Sequence, residues 1–167
     1  VVYAQPKEMT YENINFVFID FPTGVEGWSS SNYIAQDAKP AVIIDHNVPI
    51  FTEPKLTALS TLKLNDFQII AVHNGTEKGF QKISFVSQDT DRLYREVYAR
   101  LTDLEVSYNK DDINATLLLT KYKNENDDEQ KKVLLEEISK IDSFFSKDLD
   151  TIINESEKTK KNTNSDL

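Results

Sequence analysis

Residues Phe67 to Leu104 read FQIIAVHNGTEKGFQKISFVSQDTDRLYREVYARLTDL and carry the strongest local signals in the chain. Two short apolar runs, 67–73 and 80–87, flank a connection that contains Gly75 and Gly79, which tolerate positive φ angles. Apolar runs joined in this way predict a β-hairpin, and the length of the connection predicts a longer loop than a tight two-residue turn.

The remainder of this segment predicts an amphipathic helix that ends near Leu104. Ser87, Asp89 and Thr90 are all suitable N-cap residues. The apolar residues recur one or three positions apart, as on one face of an α-helix: Leu93, Tyr94, Val97, Tyr98, Leu101 and Leu104. A helix of this kind would present the charged residues on its outer side: Arg92, Arg95, Glu96 and Arg100.

The first half of the chain predicts two further strands, at 13–21 and 41–45, because both segments are rich in β-branched and aromatic residues. A loop is predicted at 23–39 and an irregular connection at 46–55, where glycine, serine and proline interrupt the apolar pattern. Leucines three residues apart predict a short helical segment at 56–64.

The second half predicts helices. The segment 111–123 fits both a strand and a helix, and its leucines favour a helix. From 129 to 154 the apolar residues recur with a mean step of 3.6, which predicts one long helix against a core. Strands followed by helices predict an α+β fold, with a mixed or antiparallel sheet of four or more strands packed by two or three helices.

Length and composition predict a single domain at 13–154, between an extended arm at 1–12 and a polar, disordered tail at 155–167. The net charge of −9 argues against binding nucleic acid, which favours clustered lysine and arginine. No apolar run reaches the roughly 18–20 residues that a membrane span needs. The chain has no cysteine, which excludes disulfides, thiolate nucleophiles and cysteine-ligated metals.

The sequence identifies no catalytic, cofactor or metal residue. His46 and His73 each end a predicted strand, and neither has a fixed partner in the sequence. The serines at 29–31 lack the glycine spacing of a nucleophile elbow. The acidic runs at 111–112 and 127–129 lack the glycine that a calcium loop requires. No cofactor is therefore expected.

The absence of catalytic signatures favours a non-catalytic domain that binds another protein, as an adaptor or a subunit of a complex. The candidate contact residues are large aromatics in predicted loops and arginines on the predicted helix, because such residues often dominate binding energy: Trp28, Tyr33, Phe51, Arg92, Arg95 and Arg100.

Two other functions stay open. The first is a small hydrolase or isomerase that uses carboxylates with His46 or His73, which would place a histidine and an acid in one cavity. The second is a secreted or ligand-carrying domain. A cytoplasmic location is favoured and secretion is an alternative, while the oligomeric state is not indicated by the sequence.

Overall fold

The computed structural model describes residues 3–20, 26–35, 37–44, 47–87, 90 and 92–154, and the side chains of these residues from Lys7 onward. The chain divides into two compact units, Val1–Val106 and Ser107–Leu167. The first unit contains two β-sheets and the second contains the α-helices. The expected single domain at 13–154 stays a prediction, and the expected disordered tail at 155–167 lies outside the described residues.

The first sheet of unit one has three antiparallel strands: β1 (Tyr3–Tyr11), β2 (Ile14–Asp20) and β3 (Glu26–Ser30), in the order β1-β2-β3. The predicted arm at 1–12 thus contains β1, and the predicted loop at 23–39 contains β3. Alternation along β2 buries Val17 and Ile19 on one face and leaves Phe16 and Phe18 partly exposed on the other.

The second sheet of unit one is larger and curled. Its strands are β4 (Ala38–Ile43), β5 (Val48–Phe51), β6 (Leu59–Leu64), β7 (Ile69–Glu77), β8 (Phe80–Val86), β9 (Leu93–Arg100) and β10 (Val106–Ser107), in the order β10-β4-β7-β8-β9-β5-β6. Its core is built from aliphatic residues and one phenylalanine that are almost fully buried: Ala41, Ile43, Val48, Ile50, Leu64, Ile70, Val72, Ile83, Phe85 and Ala99.

The predicted α+β fold is wrong. The molecule is mostly sheet, with 43% of residues in strands and 31% in helices, and the described residues form ten strands in two sheets. The four predicted strands exist as β2, β4, β7 and β8, with shifted ends. The error lies in the other segments, several of which were expected to be loops or helices and form strands.

The predicted helix that ends near Leu104 is strand β9, and a β-bulge explains the error. Ile83 pairs with Val97 and Phe85 pairs with Tyr94, so β9 holds one more residue than β8 in this interval. The extra residue places Tyr94 and Val97, three positions apart, against the same core. A strand with this bulge therefore shows the spacing of a helix face.

The hairpin between β7 and β8 also differs from the prediction. Glu77 pairs with Phe80, so the turn has only two residues, Lys78 and Gly79, with φ angles of 50° and 82°. Positive φ at both positions is typical of a type I′ turn, which matches the twist of the flanking strands. The additional length of the connection is taken up by an irregularity inside β7, between Val72 and Thr76.

The predicted helical segment at 56–64 is wrong as well. A single 3₁₀ turn, Leu56–Ala58, leads directly into β6. This strand pairs with β5, where Leu64 lies opposite Val48 and both side chains are fully buried. Pairing with a neighbouring strand satisfies the backbone more completely than an isolated helical turn can.

Unit two contains α1 (Lys110–Asn124) and α2 (Asp128–Ser139). The helical interpretation of 111–123 is confirmed, whereas the single helix at 129–154 is wrong because α2 ends at Ser139. Two side chains compete for the backbone beyond this point: the amide of Phe144 donates to Oδ1 of Asp112 at 2.8 Å, and the amide of Ser143 donates to Oγ of Ser146 at 2.7 Å. A 3₁₀ turn, Ser146–Asp148, follows, and α-helical structure resumes at 149–154.

Candidate functional site

The three-stranded sheet presents large apolar side chains on one side. Strand register places Met9 and Phe16, Tyr11 and Ile14, and Phe18 and Trp28 opposite each other, and paired residues share a face of the sheet. We call this set the aromatic face: Met9, Tyr11, Ile14, Phe16, Phe18 and Trp28. Four of its members are at least 41% exposed, and the two phenylalanines are half-buried. The arrangement is an apolar patch rather than scattered residues.

Trp28, on the edge strand β3, is the sequence-predicted contact residue of this face. It is 43% exposed, and its ring meets the ring of Phe18 edge-on at a centroid distance of 5.1 Å and an angle of 71°. The ammonium group of Lys7 lies 4.9 Å from the centroid of Phe18. These contacts hold the indole in a defined orientation without burying it.

The other two aromatic candidates, Tyr33 and Phe51, differ in their exposure to solvent. Tyr33 lies in the 3₁₀ turn that follows β3 and is 78% exposed. Phe51 ends β5, is only 4% exposed and packs edge-on against Phe80 at 5.1 Å. Tyr33 is therefore accessible to a partner, whereas Phe51 is part of the interior.

The three candidate arginines make separate contacts, and the helix that was expected to align them is absent because 93–100 form strand β9. The guanidinium of Arg92 lies 5.4 Å from the ring centroid of Tyr94. Arg100 pairs with Asp103, with Nε and Oδ2 at 3.6 Å. Arg95 donates from Nη2 to the carbonyl oxygens of Ser31 at 2.6 Å and Ile34 at 3.2 Å. These two hydrogen bonds attach the turn that contains Tyr33 to strand β9.

A cavity of about 570 Å³ lies between this turn and the seven-stranded sheet, within unit one. We call it the His73 cavity. Strands β7, β8 and β9 supply most of the polar lining, and residues 31, 34, 35 and 37 supply the rest. The lining consists of Ser31, Ile34, Ala35, Asp37, His73, Ser84, Leu93, Arg95 and Glu96. The volume is within the range of roughly 300–1,000 Å³ that is typical of small-molecule sites.

The hydrogen bonds of Ser84 define the state of His73. The Oγ of Ser84 accepts from the amide of Glu96 at 3.0 Å and lies 2.8 Å from Nε2 of His73. Ser84 is buried, so its hydroxyl hydrogen is best satisfied by donation to Nε2. We therefore assign the neutral tautomer of His73 that carries its proton on Nδ1.

Electrostatics agree with this assignment. Burial has the largest effect and lowers the pKa of His73 below 6.5. The negative charge of Glu96 raises this pKa, but by less than burial lowers it. Lys82 and Arg95 lower the pKa further, while Asp37 raises it slightly. His73 is therefore uncharged at neutral pH.

The position of His73 is fixed by the irregular part of β7. The Nε2 of the buried Gln81 side chain lies within hydrogen-bonding distance of the carbonyl oxygens of His73 at 2.6 Å, Gly75 at 3.2 Å and Lys82 at 3.0 Å, and its two hydrogens are shared among these three acceptors. Gly75 has a φ of 79° in this segment. Gln81 thus replaces the strand hydrogen bonds that the irregularity removes.

The described part of the chain holds no group of three or more histidine, cysteine, aspartate or glutamate residues that could bind a metal ion. None of its helices has the length and apolar character that a membrane crossing requires. His46, the second histidine considered from the sequence, lies outside the described residues.

Two features of these sites were not predicted. Trp28 was a predicted contact residue and the other members of the aromatic face were not, although the alternation in 14–20 could have shown that Ile14, Phe16 and Phe18 share one side. Ser84 was not predicted either, because a serine within a strand carries no sequence signal. Only the three-dimensional pairing of β7 with β8 brings it to His73.

Comparisons with protein-family models, with curated proteins and with solved structures found no match.

Proposed function

We propose that this chain is a protein-binding domain, an adaptor or complex subunit, which contacts its partner through the aromatic face. The observation that carries the proposal is that six large apolar side chains share the outer side of one three-stranded sheet, while the other side buries Val17 and Ile19. Exposed apolar patches of this kind are typical of interaction sites.

The composition of the face supports a protein partner. Tryptophan and tyrosine are enriched among the residues that contribute most binding energy, and Trp28 and Tyr11 are both exposed here. Each aromatic side chain can bury roughly 150–250 Å² when it is covered. Complete coverage of the face would remove a large apolar area from water, which is the main driving force of association.

Charged and polar side chains lie beside the aromatic face. Lys7 lies over Phe18, and Asp20 and Glu26 pair across the strands at one end of the sheet. An apolar centre with a polar border is the usual anatomy of a protein interface. Tyr33, in the turn after β3, extends the accessible aromatic surface beyond the sheet.

The proposal is tested by affinity capture from source cells with the wild-type chain, Trp28→Ala and a matched control. Tyr108→Ala is a suitable control because Tyr108 is an exposed aromatic residue in unit two. We expect one partner to be recovered by the wild type and the control and lost with Trp28→Ala. Equal recovery by all three chains would contradict the proposal. Light scattering of the purified chain shows whether the partner is a second copy.

A second candidate is a hydrolase or isomerase that uses His73, since His73, Asp37 and Glu96 line one cavity. In this function a carboxylate and the neutral imidazole would exchange a proton with substrate. The test is turnover of ester, phosphoester and epimerisable substrates by the wild type and His73→Gln. Activity that His73→Gln loses supports this candidate, and activity that it retains excludes His73 as the catalytic base.

A further inference from the structure

The His73 cavity places opposite charges next to each other on one wall. Successive residues of a strand normally point to opposite faces. At the bulge in β9, however, Glu96 has a φ of 49°, and both Arg95 and Glu96 line the cavity. The bulge therefore presents a cation beside an anion.

The cation of this pair is held in place and retains donors. Among the described residues, the bonds of the Arg95 guanidinium are made by Nη2, which donates to the two carbonyl oxygens of segment 31–34. A guanidinium has five N–H groups, so Nε and Nη1 can still donate to a ligand. A fixed guanidinium of this type is well suited to binding a carboxylate through two hydrogen bonds.

The acidic part of the lining consists of Asp37 and Glu96. Within the described part of the chain, Asp37 makes no side-chain hydrogen bond or ion pair, and Glu96 makes one exposed ion pair, with Oε2 at 3.4 Å from Nζ of Lys82. Both carboxylates can therefore accept from an ammonium group. Because His73 is neutral, it does not offset their charge.

The charges of the site favour a ligand without net charge. Lys82 lies outside the lining but pairs with Glu96, which leaves Arg95 and Asp37 as the opposing charges of the lining. A simple anion or a simple cation would therefore meet one favourable and one unfavourable group. A zwitterion satisfies both signs at once. Ile34, Ala35 and Leu93 add apolar surface to the lining, which can accommodate a side chain.

We propose that the His73 cavity binds a free α-amino acid, with its carboxylate on Arg95 and its ammonium group on Asp37 and Glu96. This site is separate from the aromatic face and does not depend on the protein-binding function. It gives the chain the capacity to sense or carry a small metabolite.

The first test uses the unaltered protein and two matched sets of probes. The common free L-amino acids are screened by saturation-transfer NMR, and those that bind are titrated calorimetrically. Two derivatives of each binder are then titrated in the same way. The N-acetyl derivative lacks the positive charge of the ammonium group, and the carboxamide lacks the negative charge of the carboxylate. We expect each derivative to bind about tenfold or more weakly, since each loses a charge-assisted hydrogen bond. Absence of binding by every free amino acid would overturn the proposal, as would equal binding of the derivatives.

The second test assigns the charges to residues. Arg95→Gln should weaken binding of the free amino acid about tenfold while leaving binding of the carboxamide nearly unchanged, because the carboxamide lacks the group that Arg95 holds. Glu96→Gln should weaken binding of the free amino acid about tenfold while leaving binding of the N-acetyl derivative nearly unchanged, because that derivative lacks the ammonium group that Glu96 holds. Arg92→Gln is the control, since Arg92 does not line the cavity. Equal losses for all three ligands, with an unchanged unfolding midpoint, would contradict the assignment.

Discussion

The imidazole of His73 and the hydroxyl of Ser84 are joined by a 2.8 Å hydrogen bond between adjacent strands, in the wall of the His73 cavity. The backbone amide of Glu96 donates a second hydrogen bond to the same hydroxyl oxygen. Ser84 thus connects the irregular part of β7 to the bulge of β9. Two departures from regular strand geometry are stabilised by one serine.

The lowered pKa of His73 predicts how stability depends on pH. As the pH falls below 6.5, the unfolded chain binds a proton at His73 before the folded chain does, so protonation favours unfolding. The wild type should therefore lose stability as the pH falls from 6.5 toward the lower pKa of the folded state. His73→Gln should lack this part of the loss. Urea denaturation of both chains across this range measures the difference, and identical pH profiles would contradict the burial of a neutral His73.

Gln81→Met should destabilise unit one. Methionine fills a similar volume but cannot donate, so the carbonyl oxygens of His73 and Gly75 would lose their buried donor. We expect a loss on the order of 2 kcal/mol in the free energy of unfolding. Gln130→Met is the control, because Gln130 is an exposed helix residue. Equal stability of the two variants in urea denaturation would show that the donor is not needed.

Gly79→Ala should destabilise the β7–β8 hairpin by about 1 kcal/mol or more, because the φ of 82° disfavours any residue with a Cβ atom. Gly27→Ala is the matched control. Neither glycine has an atom within 4 Å of an added Cβ, and Gly27 does not have a positive φ. Thermal unfolding of both variants separates the backbone effect from steric crowding, and equal effects would contradict the type I′ turn.

Thr116→Val should stabilise unit two. The hydroxyl of Thr116 is fully buried in α1 and has no hydrogen-bond partner in the described part of the chain. Valine keeps the shape of threonine and removes the unsatisfied group, which should raise the free energy of unfolding by about 1 kcal/mol. Thr120→Val is the control because the hydroxyl of Thr120 donates to the carbonyl oxygen of Thr116 at 2.9 Å. A loss of stability in Thr116→Val would indicate a partner for the hydroxyl.

The fold could be predicted from the sequence where apolar periodicity is regular. Strands β2, β7 and β8 follow their local patterns, whereas the pattern of α1 fitted a strand as well and only its leucines favoured a helix. Strand β9 does not, because the bulge at Glu96 shifts the alternation by one residue and imitates a helix. The end of α2 depends on Asp112, whose carboxylate accepts the amide of Phe144 from 32 positions away. No local pattern carries either effect.

The candidate sites were predictable to different degrees. Trp28 is recognisable as an aromatic residue outside the predicted strands, but its neighbours on the aromatic face come from two other strands. One of these strands was expected to be an arm, and the strand of Trp28 itself was expected to be a loop. The His73 cavity depends on strand order and on the segment that Arg95 holds in place. These contacts join residues more than 60 positions apart, which a single sequence does not reveal.

The central claim is that the aromatic face contacts another protein, and site-specific photocrosslinking tests it most directly. A benzophenone amino acid is placed at Trp28 in one chain and at Tyr108 in another, and both are irradiated in source cells. We predict one discrete crosslinked species from position 28 and none from position 108. The absence of a discrete species from position 28, or the same species from both positions, would contradict the claim.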